Sequence, residues 1–153
     1  MTRLAVFLAS FGYVGYFPIA PGTAGSAAAL ALYALVRWSA SPLVEGVVLV
    51  AVALVGTWSA SIAERQFGVT DPGQIVIDEV LGMLMTLAFV SLTWPGVVVG
   101  FFVFRALDIV KPFPANAAER LHGGLGVMAD DAMSGVYGNI IVRVLLWLVP
   151  GWM

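Results

Sequence analysis

The chain has 153 residues, of which 61% are hydrophobic and only 7 basic and 9 acidic. A soluble domain carries about 25% charged residues; with 10% here and a mean hydropathy of +0.99, polar side chains cannot cover the apolar surface, so the expected solvent is lipid. A formal net charge of −2 and a pI near 5.1 argue against a nucleic-acid partner, and the absence of Cys removes disulfides, thiolate nucleophiles and Cys-ligated metals.

A single domain, residues 1–153, is expected at this length, because helices of about 20 residues each use up most of the chain. Arg3 followed by the apolar run Leu4 to Phe11 has the charge pattern of a secretory leader. The run continues through Tyr13, Tyr16, Phe17 and Pro18 with no small-x-small cleavage site, so it is read as mature protein forming a short or re-entrant element. Apolar stretches between charges then predict helices over residues 24–40, 43–63, 77–93, 97–108 and 131–149. The break between the third and fourth is placed at Trp94-Pro95-Gly96, where proline and glycine interrupt an otherwise uncharged stretch. The fourth can run on to Val110 before Pro112 and Pro114 stop it. The expected fold is all-α, a polytopic membrane bundle of about five helices.

Antiparallel neighbours joined by short connections bring every polar cluster to one membrane face: residues 21–26, Glu64 and Arg65, Asp78 and Glu79, Arg105 to Lys111, and Asp130 with Asp131. The opposite face keeps Arg37 and Glu45, with Arg143 ambiguous. Arg65, Arg105, Lys111 and Arg120 on the polar side make it cytoplasmic by the positive-inside bias, so the expected location is the bacterial cytoplasmic membrane, multi-pass, with the site facing inward.

Five of the nine acids fall in three groups, Ile77-Asp78-Glu79-Val80, Ala106-Leu107-Asp108-Ile109 and Ala129-Asp130-Asp131-Ala132. Carboxylates at a lipid boundary cost several kcal/mol unless compensated, and their hard oxygens point to Mg²⁺, Mn²⁺ or Ca²⁺. Helix capping could account for Asp78 and Asp131, but leaves Glu79, Asp108 and Asp130 unexplained. Arg105, Asp108 and Lys111, three residues apart, are expected on one helix face, either as a salt-bridge ladder or as a cationic seat for an anion. Thr23, Gly25 and Ser26, in Pro21-Gly22-Thr23-Ala24-Gly25-Ser26, open a helix whose free N–H groups suit phosphate. His122-Gly123-Gly124-Leu125-Gly126 is a second flexible stretch, just ahead of Asp130.

Four segments carry a family likeness: residues 17–26, Ile75-Val76-Ile77-Asp78-Glu79-Val80-Leu81-Gly82, Phe104-Arg105-Ala106-Leu107-Asp108-Ile109-Val110-Lys111-Pro112-Phe113-Pro114, and His122-Gly123-Gly124-Leu125-Gly126-Val127-Met128-Ala129-Asp130-Asp131. In this order they resemble the signature segments of the phosphatidylglycerophosphatase A family. The resemblance implies an all-helical, Mg²⁺-dependent membrane phosphatase converting phosphatidylglycerophosphate to phosphatidylglycerol and phosphate. The family's acidic positions fall on Asp78, Glu79, Asp108, Asp130 and Asp131, and its basic positions on Arg105 and Lys111.

The combined expectation is metal-assisted phosphomonoester hydrolysis. Mg²⁺ is held by Glu79, Asp108, Asp130 and Asp131, and Asp78 acts as base or nucleophile. Arg105 and Lys111 neutralise the phosphoryl charge, and His122 is the candidate to protonate the leaving glycerol oxygen. Thr23, Gly25 and Ser26 bind substrate. The rival reading is a small divalent-cation or proton-coupled transporter, which would want acids spread through the span and an inverted repeat; neither is present in the sequence.

Overall fold

The computed structural model describes residues 1–113, 115, 121 and 123–149. Among these there are six α-helices and no strand: α1 (Thr2–Ala9), α2 (Pro21–Trp38), α3 (Pro42–Phe67), α4 (Ile77–Leu87), α5 (Trp94–Val110) and α6 (Gly124–Leu148), with a 3₁₀ turn at Val14–Tyr16 after α1. Proline stands in the first turn of α2, α3 and α5, where its missing N–H has no intrahelical partner to lose. Gly68 closes α3 in the left-handed conformation, φ 69°, its N–H on Glu64 O at 2.8 Å.

The all-helical class agrees with the sequence, and three boundaries are corrected. Helix α4 stops at Leu87 rather than residue 93, α5 starts at Trp94 so that Trp94-Pro95-Gly96 forms its first turn rather than the break, and α6 starts at Gly124 rather than at Asp131. The reason for the first is tertiary. Asn139 Nδ2, from α6, donates to the carbonyls of Met85 (3.1 Å), Thr86 (3.1 Å) and Ala88 (2.9 Å). Arg143 Nη2 donates to Ala88 O and Phe89 O, and Arg143 Nε to Asn139 Oδ1 at 2.8 Å. From α3, Glu45 Oε1 accepts the Phe89 N–H at 2.9 Å. The orphan groups that any helix end exposes are therefore satisfied by side chains from two neighbours. This also settles Arg143 on the face away from the acidic clusters, beside Glu45.

Helix α4 is the hub: it packs against α2, α3, α5 and α6, and nine of its eleven residues are buried. Its closest neighbour is α6, which comes near because glycines face it. A Cβ on Gly135 would stand 2.6 Å from the Gly82 carbonyl oxygen, and one on Gly138 2.6 Å from Thr86 Oγ1. Helix α1 packs on α3 through buried Ala5 and Ala9, and Ala9 O accepts the Val76 N–H at 3.0 Å, so the amino-terminal segment braces the entry to α4.

Among the described residues one helix, α3, is long and apolar enough to cross a membrane; its 26 residues extend about 39 Å at 1.5 Å per residue. Helix α4, with 11 residues, is about 16 Å long. That is half a hydrocarbon core, a length tolerated where protein surrounds it.

Replacing Asn139 by Leu, close in size, takes one donor from each of three carbonyls and leaves Thr86 O with none, since Met85 O keeps the Ala88 N–H and Ala88 O keeps Arg143; stability is expected to fall by about 1–3 kcal/mol, the scale of one unsatisfied buried group. A thermal midpoint in detergent that does not move would show that these bonds do not set the end of α4.

Candidate active site

Asp78 and Glu79 follow Ile77 in the first turn of α4, where the helix dipole favours negative charge. Asp78 is not the N-cap residue, which is Val76 without a side-chain cap bond, and Asp131 lies inside α6 well past its first turn. The capping alternative is thereby removed. Instead, one carboxylate oxygen from each of Asp78, Glu79 and Asp131 lies within 4.8 Å of the others. Asp78 is 7% exposed and Asp131 2%. Asp78 Oδ1, Glu79 Oε2 and both Asp131 oxygens lack a hydrogen-bond partner among the described residues. Asp108 and Asp130 stand beside this trio, both of them charged neighbours of Asp131.

Buried acids in that number repel one another and are poorly solvated, and hard oxygens aimed at one point are the donor set of a hard divalent cation. Two cations, Arg105 and Lys111, lie at the rim of this cluster. Arg105, on α5, holds Asp108 Oδ2 with Nη1 at 2.6 Å, and the same nitrogen reaches Ser26 Oγ at 3.4 Å. Ser26 in turn donates to Gly22 O at 2.9 Å. Arg105 Nε is buried with no partner among the described residues, which leaves a donor for a ligand.

Lys111 departs from expectation. It does not continue one face of α5 with Arg105 and Asp108 but ends the helix in the left-handed conformation, φ 46° and ψ 64°. A non-glycine residue there costs about 1–3 kcal/mol. The turn sends Nζ across to α6, where it meets Asp130 Oδ2 at 2.6 Å. The two cations therefore serve two different acids, Arg105 within α5 and Lys111 between helices.

Of the residues expected to bind substrate, Ser26 reaches the site through Arg105. Gly25 is buried in packing, a Cβ on it falling 2.7 Å from Val76 Cβ, and Thr23 is exposed. His122 lies outside the described residues. Two features went unread in the sequence. Gly22 abuts the site: a Cβ there would run into Glu79 Oε1 and come 3.3 Å from Arg105 Nη1. The Asp71 turn also approaches, its N–H on Glu64 Oε1 at 2.9 Å, and with Thr70 and Asp130 these acids line a cavity of about 180 Å³. Gly22 was legible only as a helix opener and the segment around Asp71 carried no signal, because their reach toward α4 and α6 is a tertiary property.

A profile of the phosphatidylglycerophosphatase A family matches residues 7–146. A Bacteroides thetaiotaomicron protein provisionally named a phosphatidylinositol-3-phosphatase is 37% identical over 88% of this chain and 89% of its own length. Phosphatidylglycerophosphatase A of Escherichia coli is 40% identical, covering 80% of this chain and 72% of that protein. The Haemophilus influenzae protein of the same name is 33% identical, covering 85% and 82%. No solved structure matches the chain.

Gly22→Ala places a methyl group against Glu79 and Arg105 without touching the core of the bundle. Turnover is expected to fall on the order of a hundredfold, as small misplacements of catalytic groups do, with little change in thermal midpoint. Wild-type turnover in this variant would show that the placement of Glu79 and Arg105 against Gly22 does not matter to the reaction.

Proposed function

The chain belongs to the phosphatidylglycerophosphatase A family, and from that premise we propose how its site works. It is a lipid phosphatase that hydrolyses phosphatidylglycerophosphate to phosphatidylglycerol and phosphate. The observation that carries the mechanism is the convergence of Asp78, Glu79 and Asp131, with unpartnered oxygens, beside Arg105.

These three carboxylates fit a divalent cation of the Mg²⁺ kind, because their oxygens are hard and buried and at least one on each lacks a donor among the described residues. When bound, such an ion supplies Lewis-acid polarisation of a phosphoryl oxygen and neutralises the developing charge. Arg105, oriented by Asp108 and Ser26, presents its guanidinium to the phosphoryl oxygens in the forked geometry that suits them. Lys111, tethered to Asp130, adds a second positive charge at the rim. Asp78, through a carboxylate oxygen that the cation leaves uncommitted, would accept a proton from the attacking water as the water oxygen bonds to phosphorus. The phosphorus–oxygen bond to glycerol breaks, and the leaving oxygen takes up a proton, for which His122 is the candidate donor. Positioning and charge dominate in such transfers.

The composition and the apolar length of α3 support a membrane-embedded chain with several helices in the bilayer. Arg65, Arg105 and Lys111 on the side of the acids support a site facing the cytoplasm. Membership of a phosphatase family leaves the transporter reading without support. The relative named for a phosphoinositide shares the reacting group, a lipid phosphomonoester, so selectivity resides in the headgroup contacts.

Phosphate release by purified protein in detergent is expected from phosphatidylglycerophosphate in preference to phosphatidate or phosphatidylinositol 3-phosphate, and is expected to stop in excess EDTA and return with Mg²⁺. Arg105→Lys keeps the charge but loses the fork, and should lower kcat by at least about a hundredfold, the scale of removing a preorganised transition-state donor. Full turnover in EDTA would remove the cation, and an undiminished Arg105→Lys enzyme would remove the guanidinium from the reaction.

A further inference from the structure

At the end of the bundle opposite the acids, the carboxy-terminal turn of α2 faces the start of α3, the segment 88–93 and the start of α5. Two cavities open there, of about 230 and 330 Å³, and Arg37 lines both. Arg37 is half-buried and has no ion pair or hydrogen bond among the described residues. Tyr33, one turn earlier on the same face, lines the first cavity and is 4% exposed, yet its hydroxyl has no partner among the described residues. A buried hydroxyl left unsatisfied costs about 1–3 kcal/mol, so this group is poised for a ligand. Arg37 and Glu45 are its charged neighbours.

The remaining polar lining is Thr93 in one cavity, and Ser41 and Ser91 in the other. Ser41 and Pro42 also open α3, so the positive end of a 26-residue helix points at the second cavity. Glu45 sits at its edge with Oε1 committed to the Phe89 N–H. One guanidinium, one helix end and one nearby carboxylate match a single negative charge rather than a dianion. Trp38 (86% exposed) and Trp94 (65%) flank this end, as aromatic residues do at headgroup depth. Leu35 and Leu43 beside them are exposed and apolar.

We propose that Arg37 and Tyr33 form a second binding site, for the singly charged phosphodiester headgroup of an anionic phospholipid, at the face of the protein opposite the phosphatase centre. The lipid source of that phosphodiester rests on the membrane-embedded reading above; the anion chemistry does not. From Ser26 to Arg37, eleven residues of α2 separate the two sites by about 16 Å, so one headgroup cannot occupy both.

The test is calorimetric titration of the full chain in nonionic detergent and EDTA with dihexanoyl phosphatidylglycerol, dihexanoyl phosphatidylcholine and inorganic phosphate. The first is expected to bind more tightly than the other two. Arg37→Gln should weaken it by at least about tenfold, the worth of a charge-assisted hydrogen bond, and Tyr33→Phe by about fivefold, that of a neutral one. Arg105→Gln should leave this binding in place, and Arg37→Gln should leave phosphate release from phosphatidylglycerophosphate unchanged. Equal affinity of wild type and Arg37→Gln, or loss in Arg105→Gln instead, would overturn the site. Inorganic phosphate binding as tightly as the lipid would overturn the lipid assignment. Should Arg37→Gln fail to fold, Tyr33→Phe decides the same question, and a chain that binds but releases no phosphate would count against the phosphatase reading alone.

Discussion

Three carboxylates within 4.8 Å of one another, two of them almost free of water, set the terms for the rest of this structure. At an effective dielectric of about 20, each like-charge pair at that separation repels by roughly 3 kcal/mol, and burial adds a desolvation cost to each ion. Folding alone offers no return for assembling such a cluster, since apolar residues of similar volume would pack at least as well. The arrangement is intelligible as a seat for positive charge, and the surrounding helices can be understood by what they do to hold it.

Asp78 and Glu79 belong to α4, and Asp131 to α6, so the seat exists only while these two helices keep their register. Two devices fix it. Glycines at 82, 135 and 138 let the helices approach closely, which bulkier residues would forbid. At the far end, Asn139 of α6 takes carbonyls of the last turn of α4, Arg143 takes those of Ala88 and Phe89 just beyond it, and Glu45 of α3 takes the Phe89 N–H. The same helix α6 thus carries the acid, Asp131, and two turns and more further on the clamp, Asn139 and Arg143. Helices α2 and α5 close the seat from outside through Gly22, Ser26 and Arg105.

Much of this was legible in the sequence because charges are sparse: in an apolar chain they mark helix ends, and the acidic clusters stand out as exceptions to that rule. The convergence of polar segments on one face followed from short connections alone. What stayed hidden depended on partners distant in the chain. No local signal ends α4 at Leu87, since Asn139 takes the carbonyls of its last turn and Arg143 those of Ala88 and Phe89 just after it. The three-residue spacing of Arg105, Asp108 and Lys111 implied one helix face, but Lys111 adopts a left-handed conformation that spacing cannot reveal, and it pairs with Asp130 instead. Gly22 looked like any helix-opening glycine until Glu79 was placed against it.

The central claim, that Asp78, Glu79 and Asp131 share one divalent cation, is tested most directly by binding rather than turnover. Mn²⁺ titration of the purified protein, followed by electron paramagnetic resonance and competed with Mg²⁺, should show saturable binding that weakens in each of Asp78→Asn, Glu79→Gln and Asp131→Asn and persists in Thr23→Ala. Saturable binding that is indifferent to all three substitutions, or no binding to the folded wild-type chain, would contradict the account.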